Sequence, residues 1–159
     1  MTAELRRQAA AVDEAAVALV AALDPTGCDS VARVSPTQLR VLELLRRTAV
    51  NVNGLAEEMG VGASSASRLS DRLEALGFIE RVIDPRDRRE VRLQLTTAAR
   101  ELLDELAAYR RTALVKILDR MPESARSELV RSLAEFAAAA ATGAPAAIPT
   151  DAPAVRKTA

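Results

Sequence analysis

Between residues 78 and 96 the hydrophobic pattern of this chain changes period, and on both sides of that stretch it is helical. Phe78 to Ile83 reads as a strand, and Val91, Leu93 and Leu95 alternate with Glu90, Arg92, Gln94 and Thr96. Such alternation puts one face of a strand inward and leaves the other in solvent. The intervening Asp84-Pro85-Arg86-Asp87-Arg88-Arg89 is a polar turn. Two strands around it make a β-hairpin with a charged tip. The remaining patterned segments repeat at three and four residues, so the expected fold is mainly α with a small β-hairpin.

The helical segments have clear punctuation. Leu5, Ala9, Val12, Ala16, Leu19 and Leu23 recur at alternating steps of four and three, a stripe of coiled-coil type over residues 3–23. Asp24-Pro25-Thr26-Gly27 ends it. Ser35-Pro36-Thr37-Gln38 has the order of a capping box with proline at the first helical position. It opens a predicted helix over 36–48 that buries Leu39, Leu42 and Leu45. A short helix follows, with Asn53 as the expected N-cap and Leu55, Ala56 and Met59 inward. Gly60-Val61-Gly62 makes a tight turn into a helix over 63–76 that buries Ala66, Leu69, Leu73 and Leu76. Gly77 is its expected stop. After the hairpin, Thr96 or Thr97 caps a long helix over 97–120. Its Leu102, Leu103, Leu106, Tyr109, Leu114, Ile117 and Leu118 occupy more than one face, which predicts packing on two sides. Pro122 starts a last helix over 123–141, with Leu129, Leu133 and Phe136 inward. Residues 142–159 carry Pro145, Pro149 and Pro153 among Ala and Thr and are expected to be a disordered tail.

Composition removes several functions. The 159 residues contain no histidine and a single cysteine, Cys28. His-based triads, His-ligated metals, an intrachain disulfide and a thiolate zinc cluster are thereby excluded, so no metal and no cofactor is expected. No nucleophile–base pair is visible either, which argues against an enzyme. Aromatic residues make up 2% of the chain, too few for base-stacking platforms. No run of about 18 uncharged apolar residues exists, so no membrane span is expected. Glu4, Arg6, Arg7, Asp13 and Glu14 at the N-terminus are unlike a signal peptide and predict a cytoplasmic location. The 22 basic and 22 acidic residues cancel. Nucleic-acid binding would therefore need a local basic patch.

Two such patches stand out. The exposed face of helix 63–76 carries Ser64, Ser65, Ser67, Arg68, Asp71 and Arg72. With the preceding short helix and glycine turn it has the shape of a helix-turn-helix, whose second helix enters the major groove. Small hydroxyls at Ser64, Ser65 and Ser67 allow close approach and suit phosphates, while Arg68 and Arg72 are long enough for base edges. A solvated helix face has the same composition. The second patch, residues 86–92, holds Arg86, Arg88, Arg89 and Arg92 against Asp87 and Glu90. A basic hairpin tip suits a phosphate backbone or a narrow minor groove, with Asp87 orienting a neighbouring arginine. The plainer account is an ion-paired turn in which Asp84, Asp87 and Glu90 absorb the charge.

These segments together resemble the MarR family of winged helix-turn-helix transcriptional regulators. The resemblance lies in Leu55-Ala56-Glu57, in Ser67-Arg68-Leu69-Ser70-Asp71-Arg72-Leu73-Glu74 and in Gly77-Phe78-Ile79-Glu80-Arg81. Asp84-Pro85-Arg86-Asp87-Arg88-Arg89 and Leu93-Gln94-Leu95-Thr96 complete it. It covers about residues 36–100, and the flanking helices extend it to about 5–140. Ala99 departs from it, since many members have glycine after the Leu-Thr pair.

The resemblance implies one domain over 1–141: a winged helix-turn-helix DNA-binding lobe over 35–96, and dimerisation helices over 1–34 and 97–141. First and last helices would intertwine in a homodimer, with Leu5, Val12, Leu19, Leu129, Leu133 and Phe136 in the interface. The recognition helix would offer Ser64, Ser65, Ser67, Arg68 and Arg72 to double-stranded DNA, and the wing would offer Arg86, Asp87, Arg88 and Arg89. The expected function is a sequence-specific homodimeric repressor of an inverted-repeat operator. Many members also bind a small-molecule effector between dimer helices and lobe, in a site this sequence does not reveal. No Tyr, Trp, Phe or His precedes residue 78, so a phenolate clamp built from that half is not visible. Cys28 has Asp29 beside it and no local cation, which predicts an inert thiol rather than an oxidant sensor. The alternative function is a winged-helix dimer that binds proteins and not DNA.

Overall fold

The computed structural model describes residues 2–84 and 89–142. Among these run six helices: α1 (Ala3–Ala22), α2 (Pro36–Arg47), α3 (Val52–Met59), α4 (Ala63–Ala75), α5 (Thr97–Leu118) and α6 (Glu123–Thr142). The two strands are β1 (Ile79–Ile83) and β2 (Val91–Leu95). Single 3-10 turns at Pro25–Gly27 and Asp29–Val31 fill the connection from α1 to α2. The chain divides into two compact units after Asp119, so that α6 belongs to the second.

Local chemistry explains most of the boundaries. Both halves of the capping box at α2 are made: the Ser35 hydroxyl accepts from the Gln38 amide, and the Ser35 amide donates to Gln38 Oε1. Gly60 and Gly77 take φ of 65° and 74°, the left-handed region where glycine carries no Cβ penalty. Thr96 caps α5 by accepting from the Ala99 amide, and its hydroxyl donates to the Gly77 carbonyl at 2.7 Å. One side chain thus ties the end of α4's turn to the start of α5.

Two expectations fail locally. The cap of α3 is Asn51 and not Asn53: its Oδ1 accepts from the Gly54 amide at 2.8 Å. Val50 is the reason. The Leu93 amide donates to the Val50 carbonyl at 2.8 Å, which holds the chain extended beside β2 until Asn51. The helix therefore begins at the first residue free of that pairing. Leu76, expected inside, is 43% exposed. It is the C-cap of α4, where the chain turns at Gly77 and carries Phe78 and Ile79 into the core instead. At the other end of the chain, Thr142 belongs to α6, its hydroxyl donating to the Ala139 carbonyl. Residues 143–159, the rest of the expected tail, lie outside the described residues.

β1 and β2 pair antiparallel, with Ile79 opposite Leu95, Arg81 opposite Leu93 and Ile83 opposite Val91. Leu93 and Leu95 are buried and Val91 is exposed, so the inward face serves only the base of the hairpin. The core gathers fully buried leucines from five elements: Leu42, Leu55, Leu73, Leu93 and Leu106. Ser70 joins them, with its hydroxyl satisfied by the Ala66 carbonyl one turn back. α5 presses Ala99, Leu102, Leu103 and Leu106 onto this core, whereas Val115 and Ile117 further along are exposed. α2 and α5 are also joined by two ion pairs, Arg46 with Asp104 and Arg110 with Glu43, each at 2.9 Å.

α1 buries none of its residues. The expected row of Leu5, Val12 and Leu19 is exposed in the single chain, and so are Val17 and Val20 beside it. In the second unit, Leu129, Val130, Leu133 and Phe136 of α6 are likewise exposed. The inward positions expected for Leu129, Leu133 and Phe136 are therefore not filled within one chain.

Candidate nucleic-acid interface

α3, the Gly60–Gly62 turn and α4 form the helix-turn-helix. α3 contributes Leu55, Ala56 and Met59 to the core, and α4 contributes Ala66, Ser70 and Leu73. With that side of α4 inward, the opposite side is presented outward. Ser64, Arg68 and Arg72, spaced four apart, form one exposed row. Ser65 is half-buried and lines, with Arg68, Leu69 and Arg72, an open depression of about 300 Å³. Ser67 departs from this group. It is half-buried on the adjacent row with Asp71 and shares no depression with the arginines. The N-terminus of α4 has no side-chain cap. Its first amide groups are thus available to an oxygen acceptor.

The hairpin stands next to α4 and is fastened to it. Arg81 of β1 donates through Nη2 to the Asp71 carboxylate, with its Nε 3.4 Å from Glu74. The neck of the hairpin is closed by the Asp84 amide donating to the Glu90 carbonyl at 2.9 Å. The Asp84 side chain is 4% exposed and pairs with Arg92 Nε. A carboxylate so buried needs a cation, and Arg92 supplies it from the facing strand. Of the four arginines read as one tip cluster, Arg92 therefore belongs to the stem. Arg89 is exposed in the turn before β2. Arg86, Asp87 and Arg88 lie outside the described residues.

The Arg92–Asp84 pair is the part of the plainer, ion-paired account of the turn that the structure shows, whereas the sequence does not mark the Arg81 clamp. Arg81 lies ten residues from Asp71 on a different element, beyond the reach of helix-spacing rules. Arg92 and Asp84 flank the turn, and their strand register alone would have brought them close.

A second concave feature lies in the first unit, at the α1–α2 connection. This cavity of about 670 Å³ is lined by Asp24, Cys28, Val31, Leu39, Glu43 and Arg110, among others. The Thr26 hydroxyl and amide both donate to Asp24 and hold its carboxyl below the ordinary 3.8. Arg110 donates through Nη1 to Glu43, while its buried Nε has no hydrogen-bond partner among the described residues. The Cys28 thiol is buried with the core. Tyr109 of α5 sets its hydroxyl against Gly27 on the same connection. No local sequence signal marks this cavity, because Arg110 stands 67 residues from its partner Glu43.

Among the described residues, no group of acidic and cysteine side chains is arranged to hold a metal ion. No described helix is long and apolar enough to cross a membrane.

The MarR family profile matches residues 34–91, from just before α2 to the first residue of β2. The HTH-type transcriptional repressor MdtR of Bacillus subtilis is 32% identical over 110 residues, 69% of this chain and 71% of that protein. The crystal structure of Rv1404 from Mycobacterium tuberculosis superposes with a TM-score of 0.74 at 28% identity, over 87% of this chain and 94% of that one. The fold also matches Bordetella bronchiseptica BpsR, described as having its DNA binding regulated by 6-hydroxynicotinic acid. There the TM-score is 0.55 and the identity 22%, over 81% of this chain and 91% of that one.

Proposed function

This chain belongs to the MarR family of winged-helix, DNA-binding transcriptional regulators, which are not enzymes, and from that premise we propose that it is a cytoplasmic homodimeric repressor of an inverted-repeat operator. The observation that carries the reading is the outward row of Ser64, Arg68 and Arg72 on α4. Both arginines are exposed and hold no ion pair among the described residues. Ser64 and Ser65 supply phosphate contacts that set the register, and Arg68 and Arg72 reach base edges in the major groove. Ser67 lies closer to the hairpin side and adds a phosphate contact there. The wing residues Arg86, Arg88 and Arg89, with Asp87 as an orienting carboxylate, take the flanking minor groove or its phosphates.

Dimerisation is supported by α1. Leu5, Val12 and Leu19 need a partner surface to leave water, and a second copy offers the same row by two-fold symmetry. Leu129, Leu133 and Phe136 of α6 supply further apolar area to that interface. A two-fold dimer sets its recognition helices about 34 Å apart, so half-site centres fall about 10 bp apart. Repression is supported by the MdtR relative. Release by a small-molecule effector is supported by the cavity at the α1–α2 connection. Its volume of about 670 Å³ lies within the range of ligand sites, and its wall includes residues of both α2 and α5.

Mobility-shift selection from genomic fragments followed by footprinting tests the reading. A protected pseudo-palindrome with half-sites one helical turn apart is expected. Binding without sequence preference, or a footprint lacking two-fold symmetry, contradicts it.

A further inference from the structure

The flank of α4 beside the hairpin carries negative charge next to the row that faces outward. Asp71 and Glu74 stand three residues apart and share one side of the helix. Asp71 is also three residues beyond Arg68, a spacing at which carboxylate and guanidinium readily pair on a helix. They do not pair here. Asp71 and Glu74 both turn to Arg81 of β1, which meets the first through Nη2 and the second through Nε. Arg68 is left without an ion pair among the described residues.

Stability does not account for this clamp. The side chains of Arg81, Asp71 and Glu74 are 36%, 56% and 42% exposed, and ion pairs so exposed contribute little to folding. Charge placement is where it matters. An uncovered carboxylate beside a surface that meets phosphates repels them, and Asp71 would otherwise draw Arg68 onto its own helix.

We propose that Arg81 is a positioning residue for DNA recognition: it holds Asp71 and Glu74, so that Arg68 stays available and the flank of α4 shows less negative charge to the DNA backbone. This rests on the reading of α4 as the recognition helix. Arg81 itself need not touch DNA, since its Nη2 and Nε are turned to the two carboxylates.

A double-mutant cycle tests it, with affinity measured on a duplex selected from a randomised pool by the wild-type protein. Arg81→Ala should weaken binding by about tenfold, the order of a single lost base contact. Asp71→Asn with Glu74→Gln should change wild-type affinity little, yet restore most of the loss in the Arg81→Ala background. A merely structural tie would not be restored by deleting its partners, nor would a lost phosphate contact. Arg81→Gln repeats the cycle if Arg81→Ala folds poorly, as judged by its melting curve. Equal gains from Asp71→Asn/Glu74→Gln in both backgrounds would overturn the proposal while leaving DNA binding by α4 intact. Wild-type protein that selects no duplex would overturn both.

Discussion

α4 and α1 are both helices with an apolar side, and they dispose of it in opposite ways. α4 turns Ala66, Ser70 and Leu73 into a core closed by four other elements, and its polar row faces out. α1 is longer, yet it buries no residue and leaves Leu5, Val12, Val17, Leu19 and Val20 exposed. Amphipathic pattern alone therefore does not say whether a helix finishes its packing inside its own chain. What separates the two is the number of surfaces that converge on them. α4 packs against α3 and β1 and shares one buried core with leucines of α2, β2 and α5. α1 meets little else among the described residues, so its apolar side stays in water unless a further surface covers it.

The contrast can be broken most forcefully at the core. Leu55 is fully buried, so Leu55→Ala should cost about 2–5 kcal/mol in denaturant unfolding, independent of protein concentration. A cost near zero would mean that the lobe is not the self-sufficient region described. The next largest effect is expected on α1. Leu19→Asp should give monomers or aggregate in sedimentation, because it places a charge in the proposed interface. Wild-type protein that is monomeric at micromolar concentration would remove the contrast, leaving the α1 row merely solvated.

Smaller effects sharpen the polar side of the comparison. Arg68→Ala should cost about 1–3 kcal/mol per site and relax preference at one position in each half-site. Arg88→Ala should instead weaken cognate and scrambled duplexes alike and lower the salt slope by about 0.9 per lost contact and subunit. An unchanged slope and affinity would return the wing arginines to a solvated turn. Least of all is expected from Cys28→Ser. The thiol is buried among core residues, so DNA affinity and its response to peroxide should stay as in wild type. Peroxide-induced release that disappears in this variant would make Cys28 a sensor.

What could be read from sequence was whatever short-range geometry enforces. The capping box at Ser35 and Gln38, the glycine turns at Gly60 and Gly77 and the alternation of Leu93 and Leu95 each depend on residues within a few positions. The same holds for the row of Ser64, Arg68 and Arg72, which is why most of the proposed DNA-facing site was legible before any fold was seen. Tertiary structure decided the rest. It chose Asn51 over Asn53 as a cap, because Val50 is held by Leu93 of β2, far along the chain. It set Leu76 outside, since the chain turns at Gly77 and seats Phe78 in the core. It moved Arg92 from the tip to the stem by burying Asp84, brought Arg81 onto Asp71 and Glu74, and set Arg110 beside Glu43. Each of these couples residues on different elements. Local patterns record which faces of a helix or strand are apolar, but the partner of a charge is set only when the elements pack.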